Sequence, residues 1–196
     1  MSFLLRRMNL PNAITLSRIP LMFVIVGLMF CHWVGAATLA FVLFIAAGLT
    51  DALDGTLARW LKQRSVLGHY LDPVADKLLL STIFLVLMHE GLIPTRVTVL
   101  VFGRDVGILL VAAILYAAVG RREFTPSIFG KANTVAQVGT VALVLLNQIT
   151  AARWVGYARV LGLDATMVLT VVSGLHYAWI ASHRVTAPAA NGHGAR

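Results

Sequence analysis

The chain has 196 residues, of which 59% are hydrophobic and only 12% are charged. Soluble domains usually contain about 25% charged residues, so this composition excludes a soluble enzyme, a disordered chain and a disulfide-rich secreted module. The net charge of +8 comes from 16 Lys and Arg against 8 Asp and Glu. Because no basic run exceeds two residues, this charge favours contact with anionic lipid over nucleic-acid binding.

Six apolar segments, each bounded by charged or turn-forming residues, predict six transmembrane helices. Lipid offers no hydrogen-bond partner to the backbone, so the spans must be helical. The predicted fold class is therefore all-α, a polytopic membrane protein with residues 1–185 as one membrane domain. The polar tail over residues 186–196 is predicted to be disordered. In chain order, the helices are expected at about residues 12–31, 36–60, 68–88, 95–119, 132–149 and 160–180.

The cationic residues indicate how these spans are oriented. With the N-terminus inside, most Lys and Arg residues fall in the inner segments, and the outer turns hold only Arg96, Arg153 and Arg159. Positive residues accumulate on the cytoplasmic side of membrane proteins. Both termini are therefore predicted to be cytoplasmic, and the chain is predicted to lie in the inner membrane.

Four of the eight acidic residues lie within one stretch of 26 residues, at Asp51, Asp54, Asp72 and Asp76. Spacings of three and four place each pair on one helix face, and the short loop predicts that the second and third helices are antiparallel neighbours. A charge near mid-membrane costs about 2.5–3.5 kcal/mol, and two carboxylates about 6 Å apart repel by about 2.8 kcal/mol at an effective dielectric constant near 20. Hard divalent cations such as Mg²⁺ or Mn²⁺ relieve both costs, so the quartet predicts a metal site.

Small and cationic residues complete this picture. Gly55 and Ala58 follow the first acidic pair, and Gly68 lies one turn before the second pair. They allow a flat group to approach the backbone, or they serve close helix packing. Arg104 lies about ten residues into an apolar span beside Asp105, where a charge without a role is costly. This position favours pairing with the acidic cluster or with a phosphate.

The acidic region resembles the complete signature of the CDP-alcohol phosphatidyltransferase family. All eight signature positions are filled at the family spacing, in Asp51-Ala-Leu-Asp54-Gly55-Thr-Leu-Ala58-Arg59 and, eight residues later, in Gly68-His-Tyr-Leu-Asp72-Pro-Val-Ala-Asp76. Two further segments resemble the phosphatidylglycerophosphate and cardiolipin synthase branches of that family. They are Asn9-Leu-Pro11-Asn12-Ala-Ile-Thr15-Leu-Ser-Arg18 and Pro126-Ser127-Ile-Phe-Gly130-Lys131-Ala-Asn-Thr134-Val-Ala-Gln137.

The resemblance implies a homodimeric enzyme of six transmembrane helices with a polar cavity open to the cytoplasm. Such enzymes transfer the phosphatidyl group of CDP-diacylglycerol to an alcohol acceptor and release CMP. The resemblance further implies that two Mg²⁺ or Mn²⁺ ions per active site bind to the four aspartates, and that Asp76 takes the proton of the acceptor hydroxyl. It assigns the nucleotide to Gly55, Ala58, Arg59, Gly68, Asn12 and Thr15, and the acceptor phosphate to Arg104, Lys131 and Arg121.

Glycerol 3-phosphate, giving phosphatidylglycerophosphate, is the favoured acceptor. Phosphatidylglycerophosphate synthases often carry Arg-Glu where this chain has Arg104-Asp105, with a second arginine further along. The Arg-Asp pair also resembles the cardiolipin synthases of the family, which use phosphatidylglycerol. Outside this class, intramembrane carboxylates suit a small cation-coupled transporter, but the chain lacks the internal repeat that transporters commonly show.

Overall fold

The computed structural model describes the backbone of residues 10–31, 33–61, 66–119 and 128–186, and the side chains of residues 20–31, 33–50, 77–111, 128–180 and 182. Six α-helices and no strands occur in this part of the chain, which confirms the predicted all-α class. The helices are α1 (Leu10–Met29), α2 (Ala36–Leu61), α3 (Val66–His89), α4 (Thr95–Val119), α5 (Ile128–Ile149) and α6 (Arg153–Thr186).

The observed helices follow the predicted spans in order, and α4 has the predicted bounds. The largest difference is in α6, which begins at Arg153 instead of near residue 160 and continues to Thr186. A charged residue such as Arg159 ends an apolar stretch but does not interrupt the hydrogen bonds of a helical backbone. The Arg159 guanidinium instead donates to the carbonyl of Leu92, in the turn after α3, at 3.3 Å.

Two helices in the described part of the chain are long and apolar enough to cross a membrane. They cover Ile128–Ile149 and Arg153–Ile180. Shorter apolar stretches lie in α1, α2 and α3, at Pro20–Met29, Ala36–Thr50 and Lys77–His89. The prediction of six complete spans around a polar cavity stays a prediction.

The helices pack so that α1 and α5 connect the two helices that carry the acidic residues. α1 packs on both α2 and α3, and α5 also contacts both. Within the described contacts, α2 and α3 do not pack directly on each other, although the short loop predicts that they are neighbours. Buried apolar side chains from all six helices form the shared core, including Ile25, Phe44, Phe84, Val97, Val141 and Leu163.

The α5–α6 pair forms the most extensive helix contact and also supports α4, which packs on α6. Gly162 permits a close approach of α5 and α6, because a Cβ atom there would lie 3.0 Å from the Thr140 Oγ1 atom. Small residues have this role in many membrane helix pairs. The arrangement brings polar side chains of α4, α5 and α6 together inside the protein.

Candidate active site

The predicted metal ligands lie on two continuous helices. Asp51 and Asp54 lie in the C-terminal half of α2, and Asp72 and Asp76 lie in the N-terminal half of α3. The backbone is α-helical at all four positions, as the spacing predicts. The side chains of residues 51–76 lie outside the described residues, so the meeting of the four carboxylates stays a prediction.

The other predicted site residues include Lys131 and Arg121, predicted to bind the acceptor phosphate, and the residues predicted to bind the nucleotide. Lys131 is described, and its side chain is exposed in the first turn of α5. Arg121 lies outside the described residues. Only the backbone is described for the predicted nucleotide-binding residues, which lie on α1 (Asn12 and Thr15), α2 (Gly55, Ala58 and Arg59) and α3 (Gly68).

Among the described side chains, Arg104, Asp105 and Lys77 form an ion network that links α3 to α4. The Asp105 Oδ1 atom accepts hydrogen bonds from the Arg104 Nη1 atom at 2.5 Å and from the Lys77 Nζ atom at 2.9 Å. The Arg104 and Asp105 side chains are only 8% and 11% exposed, whereas Lys77 is 39% exposed. Within the described side chains, the network holds two cations and one carboxylate, and therefore one positive charge in excess.

This network identifies the described ion-pair partner of Arg104. Its described ion pair is made with the neighbouring Asp105. Lys77, which the sequence places beside Asp76, likewise pairs with Asp105. The Arg104 Nε atom is buried and has no hydrogen-bond partner among the described residues. The guanidinium is thus held by protein groups at its two terminal nitrogens, and Nε is its one nitrogen atom without a partner among the described residues.

Helix α6 contributes two residues to this site that the sequence analysis does not identify. The Arg104 Nη2 atom donates to the Ser173 Oγ atom at 2.7 Å. The Arg104 Cζ atom lies 5.8 Å from the centre of the Tyr177 ring, a distance typical of a cation–π contact. The sequence signal for both is the polar stripe of α6, in which a polar residue recurs every three or four positions, at Thr166, Thr170, Ser173 and Tyr177.

A second set of polar contacts joins α5 to α6. The Thr170 hydroxyl donates to the Asn133 Oδ1 atom at 3.0 Å, and the Thr140 and Thr166 hydroxyls lie 2.9 Å apart. The Asn133 Nδ2 and Gln137 Nε2 atoms, one turn apart, are buried and have no hydrogen-bond partner in the part of the chain that the structure describes. Gln137 also belongs to the segment that resembles the synthase branches.

The described side chains contain no group of three or more His, Cys, Asp or Glu residues able to hold a metal ion. The four aspartates lie outside that set. Carboxylate oxygens are the ligands that Mg²⁺ and Mn²⁺ prefer, so the chemistry of the predicted ligands fits such ions.

The comparison with known proteins decides the family. The model of the CDP-alcohol phosphatidyltransferase family matches residues 8–181. The chain belongs to this family. The match covers all six helices except the last few residues of α6, and it includes the acidic segments of α2 and α3 as well as the α4–α6 network.

Relatives within the family carry two kinds of name. The chain is 34% identical to a CDP-diacylglycerol–glycerol-3-phosphate 3-phosphatidyltransferase of Bacillus subtilis over 86% of this chain and 93% of the relative. It is 32% identical to a probable phosphatidylglycerophosphate synthase of Mycobacterium tuberculosis over 86% of this chain and 79% of the relative. It is 50% identical to the human cardiolipin synthase (CMP-forming) over 74 residues, which are 37% of this chain and 24% of the human protein. The match therefore spans only about a quarter of the length of the human and rat cardiolipin synthases.

Proposed function

We propose that this chain transfers the phosphatidyl group of CDP-diacylglycerol to glycerol 3-phosphate, forming phosphatidylglycerophosphate and CMP in phospholipid biosynthesis. The observation that carries this proposal is the extent of similarity. The relative named for this reaction matches over 86% of the chain and 93% of its own length. Family membership also favours a transferase over a cation-coupled transporter.

In the proposed reaction, the acceptor hydroxyl oxygen forms a bond to the phosphatidyl phosphorus. The bond from that phosphorus to the oxygen of CMP breaks, and CMP leaves with the electron pair. Asp76 accepts the proton of the hydroxyl, since a carboxylate within reach of a hydroxyl can act as a general base. Lys77, the next residue, is bound to Asp105, so the described ion network adjoins the proposed base along the chain.

The donor contains a pyrophosphate, which bare carboxylates repel. Asp51, Asp54, Asp72 and Asp76 would hold two divalent ions, Mg²⁺ or Mn²⁺, which would neutralise the charge of the pyrophosphate and of the departing CMP. The small residues Gly55, Ala58 and Gly68, with Arg59, Asn12 and Thr15, would accommodate the cytidine and its phosphates.

We assign the acceptor phosphate to Arg104, Lys131 and Arg121. The uncompensated positive charge of the Lys77–Asp105–Arg104 network supports this assignment for Arg104. Electrostatic attraction is stronger at a buried position than in water, and the Arg104 side chain is only 8% exposed. A phosphate oxygen provides the acceptor that the Arg104 Nε atom lacks.

Cardiolipin synthesis is the second candidate function, with phosphatidylglycerol as the acceptor. The observation that favours it is the local identity of 50% with the human cardiolipin synthase over 74 residues. The Arg104-Asp105 pair supports the same branch. Both acceptors present a phosphate group beside a free hydroxyl, so the proposed roles of Asp76 and Arg104 are the same for each.

We further propose that the protein is an integral protein of the cytoplasmic membrane and acts as a homodimer, with both termini in the cytoplasm. The two helices that are long and apolar enough to cross a membrane support the membrane location. The excess of Lys and Arg in the predicted inner segments supports the orientation.

The test supplies the purified protein, in detergent with Mg²⁺, with CDP-diacylglycerol and one acceptor at a time. Lipid mass spectrometry then identifies the product, and CMP release gives the rate. We expect phosphatidylglycerophosphate from glycerol 3-phosphate. Cardiolipin from phosphatidylglycerol, with no product from glycerol 3-phosphate, would replace the first proposal by the second. No CMP release with either acceptor would refute both.

A further inference from the structure

The Arg104 guanidinium is fixed by side chains of two helices. Asp105 on α4 accepts from the Nη1 atom, and Ser173 on α6 accepts from the Nη2 atom at 2.7 Å. A single hydrogen bond would leave the planar group free to turn about that bond. Two anchors on different helices define both its position and its plane, because the five N–H donors of arginine are rigidly arranged.

Neighbours of Ser173 on α6 also lie against the Arg104 side chain. Ser173 is fully buried, and the adjacent Gly174 lies beside the arginine stem, since a Cβ atom there would be in ordinary van der Waals contact with the Arg104 Cγ atom at 3.7 Å. Tyr177, one turn further along α6, adds its ring at 5.8 Å from the Arg104 Cζ atom. α6 therefore presents a hydroxyl and an aromatic ring to the same guanidinium.

The third nitrogen atom of the Arg104 guanidinium is Nε, which carries one N–H group. This donor is buried and has no hydrogen-bond partner among the described residues, and leaving a buried donor without an acceptor is unfavourable. The network around it has two cations and one carboxylate, so an anionic oxygen is the group that satisfies both the donor and the charge.

We propose that Ser173 is a positioning residue for the acceptor. Its hydroxyl, supported by the Tyr177 ring, holds the Arg104 guanidinium so that the Nε–H edge meets an anionic oxygen of the acceptor's phosphate group. The inference rests on the proposed function, and it assigns a role in acceptor binding to α6. The phosphate belongs either to a soluble phosphomonoester, such as glycerol 3-phosphate, or to the phosphodiester of a lipid acceptor.

The experiment compares Ser173→Ala with the wild-type chain, measuring kcat and the KM for each substrate in separate arms with glycerol 3-phosphate and with phosphatidylglycerol. We expect the KM for the acceptor to rise about tenfold, a reasonable effect for one hydrogen bond to a charged group. The KM for CDP-diacylglycerol is expected to change less than about twofold, because Ser173 acts only on the acceptor side. Ser173→Thr retains a hydroxyl and is expected to restore most of the acceptor affinity.

Thr166→Ala is the matched control, since it removes a buried hydroxyl from the same helix, one that pairs with Thr140 and not with Arg104. The acceptor KM of this variant is expected to stay within about twofold of the wild-type value. Tyr177→Leu is the second test if Ser173→Ala does not fold. It removes the ring from the same guanidinium, and we expect an acceptor KM about threefold higher.

The two proposals fail in different ways. A wild-type protein that uses neither acceptor contradicts the proposed function. An active wild type whose Ser173→Ala variant keeps the normal acceptor KM, or raises both KM values equally, overturns only the positioning role. The arm in which the effect appears identifies the source of the phosphate.

Discussion

The acidic segments of α2 and α3 differ from the polar network of α4 and α6 in how their charges are balanced. The acidic segments carry four carboxylates within 26 residues, and we propose that cations from outside the chain balance their charge. The network surrounds the single carboxylate of Asp105 with Lys77 and Arg104. Among its described groups it therefore keeps one positive charge in excess, and the Arg104 Nε atom has no acceptor there.

This difference suggests a division of labour between the two regions. A site that needs added cations suits a pyrophosphate donor, because the ions neutralise both partners. A network whose cations are already fixed in place suits a smaller anion, for which orientation matters more than neutralisation of its charge. Lys77 directly follows Asp76 in α3, so the two regions are joined at the proposed base.

The strongest test of this comparison removes the external cations. We expect excess EDTA to abolish CMP release from CDP-diacylglycerol, because the quartet cannot hold a pyrophosphate without them. Added Mg²⁺ or Mn²⁺ is expected to restore the activity. Undiminished turnover in excess chelator would mean that the acidic segments do not work through bound ions.

Replacing the proposed base tests the acidic segments residue by residue. We expect Asp76→Asn to lower kcat by about 10²–10⁴-fold, the usual contribution of general acid–base catalysis. Asp164→Asn is the control, since Asp164 is an exposed acid of α6, and its rate of CMP release is expected to match the wild type. Full turnover of Asp76→Asn would assign the proton transfer to another group.

The Asp105→Asn variant tests whether the stability of the network depends on the negative charge of Asp105. Asp105→Asn leaves Arg104, with 8% of its side chain exposed, beside Lys77 without a counter-ion. We expect the free energy of unfolding in detergent to fall by about 1–3 kcal/mol. The loss is smaller than for a fully buried pair because Lys77 can reach solvent.

The double variant Asp105→Asn with Lys77→Met provides the control for this effect. Removing one of the two cations is expected to recover part of the lost stability. A single Asp105→Asn variant as stable as the wild type would show that the network does not depend on its carboxylate.

The same contrast explains what the sequence predicts and what it does not. The helix order, the bounds of α4 and the acidic signature follow from local patterns, because apolar runs and spacings of three or four residues are visible along the chain. The Ser173–Arg104 contact joins residues 69 positions apart, and no local pattern predicts such a pair. The sequence predicts that Arg104 pairs with the acidic quartet or a phosphate, which stays a prediction, and the described ion pair of Arg104 is with its neighbour Asp105.

The smallest expected effect concerns the neutral contacts of α5 and α6, which separate the role of charge from that of hydrogen bonding. Thr140 and Thr166 are buried, with their hydroxyls 2.9 Å apart. A double-mutant cycle with Thr140→Val and Thr166→Val is expected to give a coupling energy of about 0.6 kcal/mol, the average for such pairs between membrane helices. Thr50→Val is the control, because the exposed Thr50 hydroxyl bonds to the Ala46 carbonyl of its own helix. A coupling energy as large as the Asp105→Asn effect would mean that neutral hydrogen bonds stabilise the packing of α6 as strongly as the ion network does. That result would contradict the difference in strength between the charged and the neutral contacts.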